Sequence, residues 1–439
     1  MDRLRTYLKY ALISTAFISF GFHANGQNQG DSLTLGRIIS IVIQNHPSVS
    51  EALEAVKSAE AGIGLAKAGY YPVVDASAAY SRIGPIQEIS FPGSGTFQLY
   101  PANNYSANLN YYQTIFDFGK TSKNVDLANE AKNINVQTLE QVKQKLAFTV
   151  TLVYYSVFYL QQAIEINKQE LNTLKEHLDF VEKKLETGSA TKYEVLSTKV
   201  KISNVESIGI DLQTNLKNQV TELNSLMAQK ENKSFTVREE LDVKLPVMTE
   251  DSLLSFAFEH RDEVKIAKEK TTLAELKYKN VDAQNNPTVN VQLSGGMKNG
   301  YFPNQSAVKA NFSAGLGVKI PIFDGTRSKF NLSQAKSAVS ISESETELAK
   351  ISVAKEVIQN EENLNASLKK IEHSNLQLSQ SQEAFLLAQR SFKAGVITNL
   401  DLLDAETAIS ESSLLLLKSR IEYITNVFRL KASIGERLY

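Results

Sequence analysis

Asp401 and Asp404 are the residues of this sequence whose type and spacing most suggest chemistry. Three positions is about one helical turn, so the two carboxylates share a helix face and can draw in cations. Asp401 also has a structural alternative. It follows Thr398 by three residues, the spacing of a helix-starting capping box, and Glu194 stands in the same relation to Thr191. Asp404 lies beyond the reach of such a cap.

The other candidates form no constellation. The five histidines, His23, His46, His177, His260 and His373, are scattered. His177 and His373 are expected on exposed helix faces, and no spacing resembles a metal site or a catalytic triad. Gly62-Ile63-Gly64 lacks both the preceding strand and the third glycine of a nucleotide loop. Cysteine is absent, which removes disulfides, thiolate metal sites and cysteine nucleophiles. A formal net charge of −1 gives no pull toward nucleic acid. Neither an enzyme nor a cofactor is expected.

Residues 1–26 are expected to be a signal peptide. Arg3, Arg5 and Lys9 form a basic start, residues 11–22 an apolar run, and Ala24 and Gly26 the small residues before cleavage at Gln27. The apolar run is well short of the ~20 residues that span a bilayer as a helix.

The elements that would position Asp401 and Asp404 come in two copies. Ile115-Phe116-Asp117 recurs as Ile322-Phe323-Asp324, Gly188 as Gly395, Thr191 as Thr398, Leu196 as Leu403 and Leu223 as Leu430, each at a separation of 207 residues. Asp404 pairs with Ser197 in this scheme, so the duplication does not demand an acid there. The match runs without a gap, which implies that helix length is itself constrained. His46 pairs less strictly with His260, and Pro72 with Pro287. The first repeat spans residues 27–228, the connector 229–250 and the second repeat 251–439.

Each copy predicts a helix of about 65 residues, roughly 100 Å at 1.5 Å per residue. Leu146, Val150, Val153, Val157, Leu160 and Ile164, then Leu171, Leu174, Leu178, Val181 and Leu185, form a heptad seam. In the second copy Leu364, Ile371, Leu378, Phe385 and Phe392 keep the seam, while Ser367, Ser374 and Ser381 fall at alternate positions. Small residues there either permit close helix approach or face water. Lys183, Lys184 and Gly188 end the first long helix, and Thr191 starts a shorter returning one; Lys393, Gly395 and Thr398 repeat the arrangement. The hairpins are expected at about 118–228 and 325–435.

Before each hairpin the period changes to two. Strands are expected at about 72–82, 105–116, 287–297 and 308–323, each with an apolar and a polar face. Their length suits tilted membrane strands, and Tyr70, Tyr71, Tyr111, Tyr112, Tyr301 and Phe302 lie near strand ends, where an aromatic girdle belongs. Four strands cannot close a barrel, and an open edge in lipid leaves backbone groups unpaired. Membrane strands of this kind therefore imply an oligomer enclosing a water-filled channel.

Taken in order and doubled, these features make the chain resemble the TolC-like outer-membrane efflux protein family. The stretches that carry the resemblance are residues 33–72, the IFDFG and IFDG junctions, the two glycine turns and VITNLDLLDAE. The resemblance implies a mainly helical α+β fold of two repeats, each a long coiled-coil hairpin plus two membrane strands. It implies a homotrimer whose 12-stranded barrel, set in outer-membrane lipid, continues into a periplasmic helical tunnel, with residues 229–250 in an equatorial belt. Such proteins are passive exit ducts that serve a periplasmic adaptor and an inner-membrane pump of RND, ABC or MFS type. The adaptor would dock at Gly188, Ser189, Ala190 and Thr191 and at Gly395, Val396, Ile397 and Thr398, while Asp401, Asp404 and Glu194 would lie at the entrance. At Ile397 the resemblance leads one to expect an arginine that ties the entrance closed. The missing cysteine separates the chain from the family's acylated members. The alternative is a periplasmic adaptor or coiled-coil scaffold, but an adaptor carries one such hairpin, not two.

Overall fold

The computed structural model describes residues 32–93, 95–229, 235–238 and 249–439. The expected signal peptide and most of the 229–250 connector lie outside these residues. The first repeat runs β1 (Ser32–Leu33), α1 (Leu35–Asn45), α2 (Pro47–Lys67), β2 (Val73–Arg82), β3 (Glu88–Phe91), β4 (Gly95–Gln98), β5 (Asn103–Phe116), α3 (Lys120–Glu186) and α4 (Lys192–Leu226). The connector contributes β6 (Thr236–Val237), and the second repeat runs α5 (Glu250–His260), α6 (Asp262–Ala283), β7 (Thr288–Lys298), β8 (Lys309–Lys319), α7 (Arg327–Lys393) and α8 (Asn399–Ser433). The two long helices are 67 residues each and the two returning arms 35. The duplication thus extends to helix length, residue for residue.

Local chemistry sets the boundaries. Asp117 accepts from the amides of Gly119 and Thr121 at 3.0 and 2.8 Å, and Asp324 accepts from the Ser328 amide at 2.8 Å. The recurring aspartate of the strand–helix junction therefore satisfies free N–H groups where the long helices begin. His46 has a similar task. Its amide donates to the Val42 carbonyl and closes α1, its Nδ1 accepts from the Ser48 amide at 3.2 Å, and Pro47 opens α2 without an N–H to satisfy.

The main core lies at the waist. Ile38 and Val42 of α1 pack with Val150, Tyr154 and Val157 of α3, Leu223 of α4 and Ile424 of α8. Each such aliphatic side chain gains roughly 1.5–3 kcal/mol on burial. The seam of α3 is buried at Val150, Val157, Leu160, Leu174 and Val181, whereas Leu185, nearest the turn, is exposed. Tyr154 and Tyr155 are fully buried although neither belongs to the seam; the Tyr154 hydroxyl donates to the Arg238 carbonyl at 2.7 Å. In the second hairpin Ser367, Ser374 and Ser381 are buried, and the Ser374 and Ser419 hydroxyls lie 2.9 Å apart between α7 and α8. Of the two readings of these serines, close helix approach is the one realised.

Strands β2, β5, β7 and β8 form one antiparallel sheet in that order. The register gathers the apolar positions on one face: Val74 opposes Tyr111, which opposes Leu293, which opposes Ala314. One residue along, Asp75, Asn110, Ser294 and Ser313 make the matching polar row. Its members are hydrogen-bonded, Asn110 donating to Asp75 at 2.9 Å and Ser294 to Asn110 at 2.9 Å. Phe312 and Leu316 stand 89% and 71% exposed on the apolar face. The last strand ends at Lys319, short of the expected 323, because Pro321 has no N–H to continue the ladder. The β3–β4 hairpin was not expected from the sequence; Gln305 ties it to the opposite loop by donating to the Gln98 carbonyl at 2.8 Å. Strands β2 and β8 are both edges, each hydrogen-bonded on one side only.

Candidate functional site

The two turns are built alike. Gly188 and Gly395 have φ of 73° and 77°, the left-handed region that glycine enters without a Cβ penalty. Around them Ser189 N–H donates to Lys184 C=O at 2.8 Å and Val396 N–H to Ser391 C=O at 2.9 Å, which absorbs carbonyls left free at the helix ends. The returning helices begin with caps of unequal completeness. Thr398 and Asp401 form a reciprocal capping box, in which the Thr398 amide donates to Asp401 at 2.8 Å and the Asp401 amide to the Thr398 hydroxyl at 3.2 Å. In the first copy the Glu194 amide donates to the Thr191 hydroxyl at 3.2 Å, and the Glu194 carboxylate accepts from that hydroxyl.

These contacts sort the three candidate acids. The hydrogen bonds from Thr398 hold the Asp401 carboxyl below its ordinary range. Asp401 is exposed but occupied, and Glu194 is half-buried and occupied by its own cap. Asp404 is exposed and has no hydrogen bond or ion pair to another described residue. Of the three it is the acid with no local structural task.

The turn residues also divide. Gly188, Ser189, Thr191, Gly395, Val396 and Thr398 are exposed, with Val396 at 76%. Ala190 and Ile397 instead pack against Val181, Val195, Phe392 and Leu402, a cluster drawn from both hairpins. Ile397, where the resemblance led one to expect a charged tie, is an apolar one. Between the turns lies a groove of about 440 Å³ bordered by Lys184, Tyr193, Ile397 and Leu400.

Two residues that join the hairpins escaped the sequence reading. His177, expected on an exposed face, is half-buried, and its Nε2 lies 2.6 Å from Asn399 Oδ1. Asn399 is buried, and its Nδ2 donates to the Ser197 and Thr198 hydroxyls, both at 3.3 Å. That orientation leaves Oδ1 as the acceptor, so His177 carries its hydrogen on Nε2. Burial pushes the imidazole below its ordinary pKa, against the hydrogen bond to Asn399. Phe392 packs edge-on to His177 and Phe180, and the Lys184 ammonium stands 5.0 Å from its ring centre. The partners His177 and Asn399 are 222 residues apart, and no local pattern links them.

Among the described residues no three histidine or acidic side chains converge to hold a metal, and no helix is long and apolar enough to cross a membrane. The arrangement is a pair of long hairpins latched near their tips, continuous with a two-faced sheet.

Comparison with known proteins agrees with this architecture. The family model described as outer membrane efflux protein matches residues 38–229 and 253–436, one segment for each repeat. The chain is 22% identical over 344 residues to outer membrane protein TolC of Salmonella enteritidis, covering 76% of this chain and 70% of that protein. Among solved structures, CusC superposes with a TM-score of 0.79 at 20% identity, covering 92% of this chain and 93% of the other. The outer membrane protein VceC of Vibrio cholerae superposes with a TM-score of 0.77 at 18% identity, covering 92% and 97%.

Proposed function

The chain belongs to the outer membrane efflux protein family, and from that membership we propose that it is a passive outer-membrane exit duct for efflux or secretion. In this reading three chains pool their four-stranded sheets into a 12-stranded barrel in outer-membrane lipid. The hairpins form the periplasmic tunnel. An inner-membrane pump of RND, ABC or MFS type supplies the energy, and a periplasmic adaptor joins it to the hairpin tips. The observation that carries the reading is the sheet: one continuous apolar face, one hydrogen-bonded polar face and two open edges. Such a sheet is stable in lipid only when its edges meet those of other copies, and the polar face then lines water. A periplasmic adaptor or scaffold has no use for it. Fractionation distinguishes the two: a heat-modifiable oligomer extracted from the outer membrane supports the duct, and a soluble or inner-membrane product contradicts it.

At the entrance a trimer would bring Asp401 and Asp404 of each chain around one axis. A ring of carboxylates favours cations. The expected result is a cation-selective pore whose conductance falls as pH drops or as multivalent cations are added. Single-channel recording of Asp401→Asn/Asp404→Asn should show both effects weakened, with Asp404→Asn alone giving the larger share. Unchanged selectivity and cation block in the double variant would make these residues caps and surface only.

For docking, Val396 is the cleanest probe, since it is exposed and the glycine turn beside it stays intact. Val396→Asp should assemble normally and abolish efflux in cells. Full efflux from a correctly assembled Val396→Asp protein would exclude the turn from the docking surface. Ala190→Asp is a poorer probe, because Ala190 packs in the inter-hairpin cluster.

A further inference from the structure

We propose that Glu406, with Glu170 and Lys201, forms a proton-binding site in the seam between the two hairpins of one chain, and that loss of its proton frees the tips to separate. The inference rests on the reading of those tips as the tunnel entrance.

Glu406 lies on α8 one turn beyond Leu402 and Leu403, which pack into the clusters joining the two hairpins. It is 6% exposed, and its Oε1 is buried with no hydrogen-bond partner. From α3 it is faced by Glu170, and from α4 by Lys201. On its own helix Ser410 hydrogen-bonds to Glu170, and Glu411 adds further negative charge there. Glu406 also borders a cavity of about 200 Å³ lined by Glu176 and His177 of α3 and Lys393 of α7. On the facing hairpin one cation, Lys201, therefore stands with a second carboxyl, Glu170, near the buried Glu406. Lys201 and the lack of a third ligand among the described residues make a metal a poor occupant. A proton fits.

An ionised Glu406 would be a buried charge with an unpaired oxygen beside a second carboxyl, an arrangement that is relieved only by admitting water. Burial, reinforced by Glu170 and opposed by Lys201, pushes its pKa from the ordinary 4.5 up to about 8. Glu170 is raised as well, through burial first. The packed seam therefore holds the proton and the separated, hydrated seam gives it up. Between pH about 4.5 and about 8 each unit of rising pH shifts the balance toward separation by up to about tenfold, and above that range both forms are ionised and the dependence ends.

The test uses the absence of native cysteine. Nitroxide labels on Lys192→Cys and Leu400→Cys, on α4 and α8, report tip separation by electron-spin distance measurement in the assembled protein. The separated fraction should rise between pH 5 and 8 and level off above it. Glu406→Gln should hold the packed distance at every pH, and Glu170→Gln should make the rise level off at a lower pH and a smaller separated fraction, because it removes a charge that keeps Glu406 protonated in the packed seam. A wild-type distance that ignores pH, or a Glu406→Gln protein that keeps the wild-type response, overturns the proposal. Conductance recorded on the same preparation separates the two levels: a conducting protein with pH-blind tips loses only the latch, whereas one that never conducts loses the duct.

Discussion

Arg437→Ala should destabilise the protein by about 3–5 kcal/mol, the cost of leaving a buried carboxylate without its partner. The guanidinium reaches Asp262 through both nitrogens, at 2.6 and 2.7 Å, and the Asp262 side chain is 5% exposed. The tail approaches so closely because Gly435 crosses the α5–α6 break, where a Cβ would lie 2.7 Å from the His260 carbonyl carbon. Its residues also engage the first repeat: Gln144 donates to the Glu436 carbonyl at 2.8 Å, and the Tyr439 hydroxyl bonds Glu140 on α3. The segment thus binds the two repeats to each other at the waist. Asp262→Ala should cost less, because Arg437 is one-third exposed and can turn its charge to water. The pair Arg437→Met/Asp262→Leu should recover much of the loss, since replacing both partners leaves no stranded charge. Denaturant midpoints of the three proteins check the order, and equal midpoints for the two single variants would refute it.

Leu316→Arg should cost about 2–4 kcal/mol, the penalty for a cation on the lipid face of a barrel near the midplane. Leu316 opposes Val291 on the apolar face and is 71% exposed in the single chain. Ser313, three residues earlier on the same strand, lies in the polar row with Ser294. Its replacement by arginine projects into water in the proposed barrel and should be tolerated. The comparison is sharp because both variants add the same charge to the same strand. The yield of heat-resistant assembled protein in the outer membrane should fall for Leu316→Arg and stay near wild type for Ser313→Arg. Equal behaviour would mean that the two faces do not meet different solvents.

Much of the architecture was legible because its determinants are local. Periods of seven and two, the glycine turns and the threonine caps each act within a few residues, and the exact 207-residue repeat carried one copy's reading to the other. What stayed hidden was set by packing between distant segments. Tyr154 and Tyr155 are buried because α1 lies over the middle of α3, which no periodicity in α3 announces. The serine row of α7 is polar in composition yet buried, since only the α8 surface decides which reading holds. His177, Asn399 and Glu406 are ordinary helix residues in sequence, and their roles arise where two hairpins from different repeats meet. Asp401 and Asp404 are alike by type, and the Thr398 spacing that already distinguishes them in sequence is realised as a capping box.

The central claim is that open sheet edges make this chain a channel only in company. The mass of the detergent-extracted, reconstitution-competent protein tests it most directly. The account predicts a particle of three chains, each 48.7 kDa before any processing, that conducts ions in a planar bilayer. A stable single chain that conducts would contradict it.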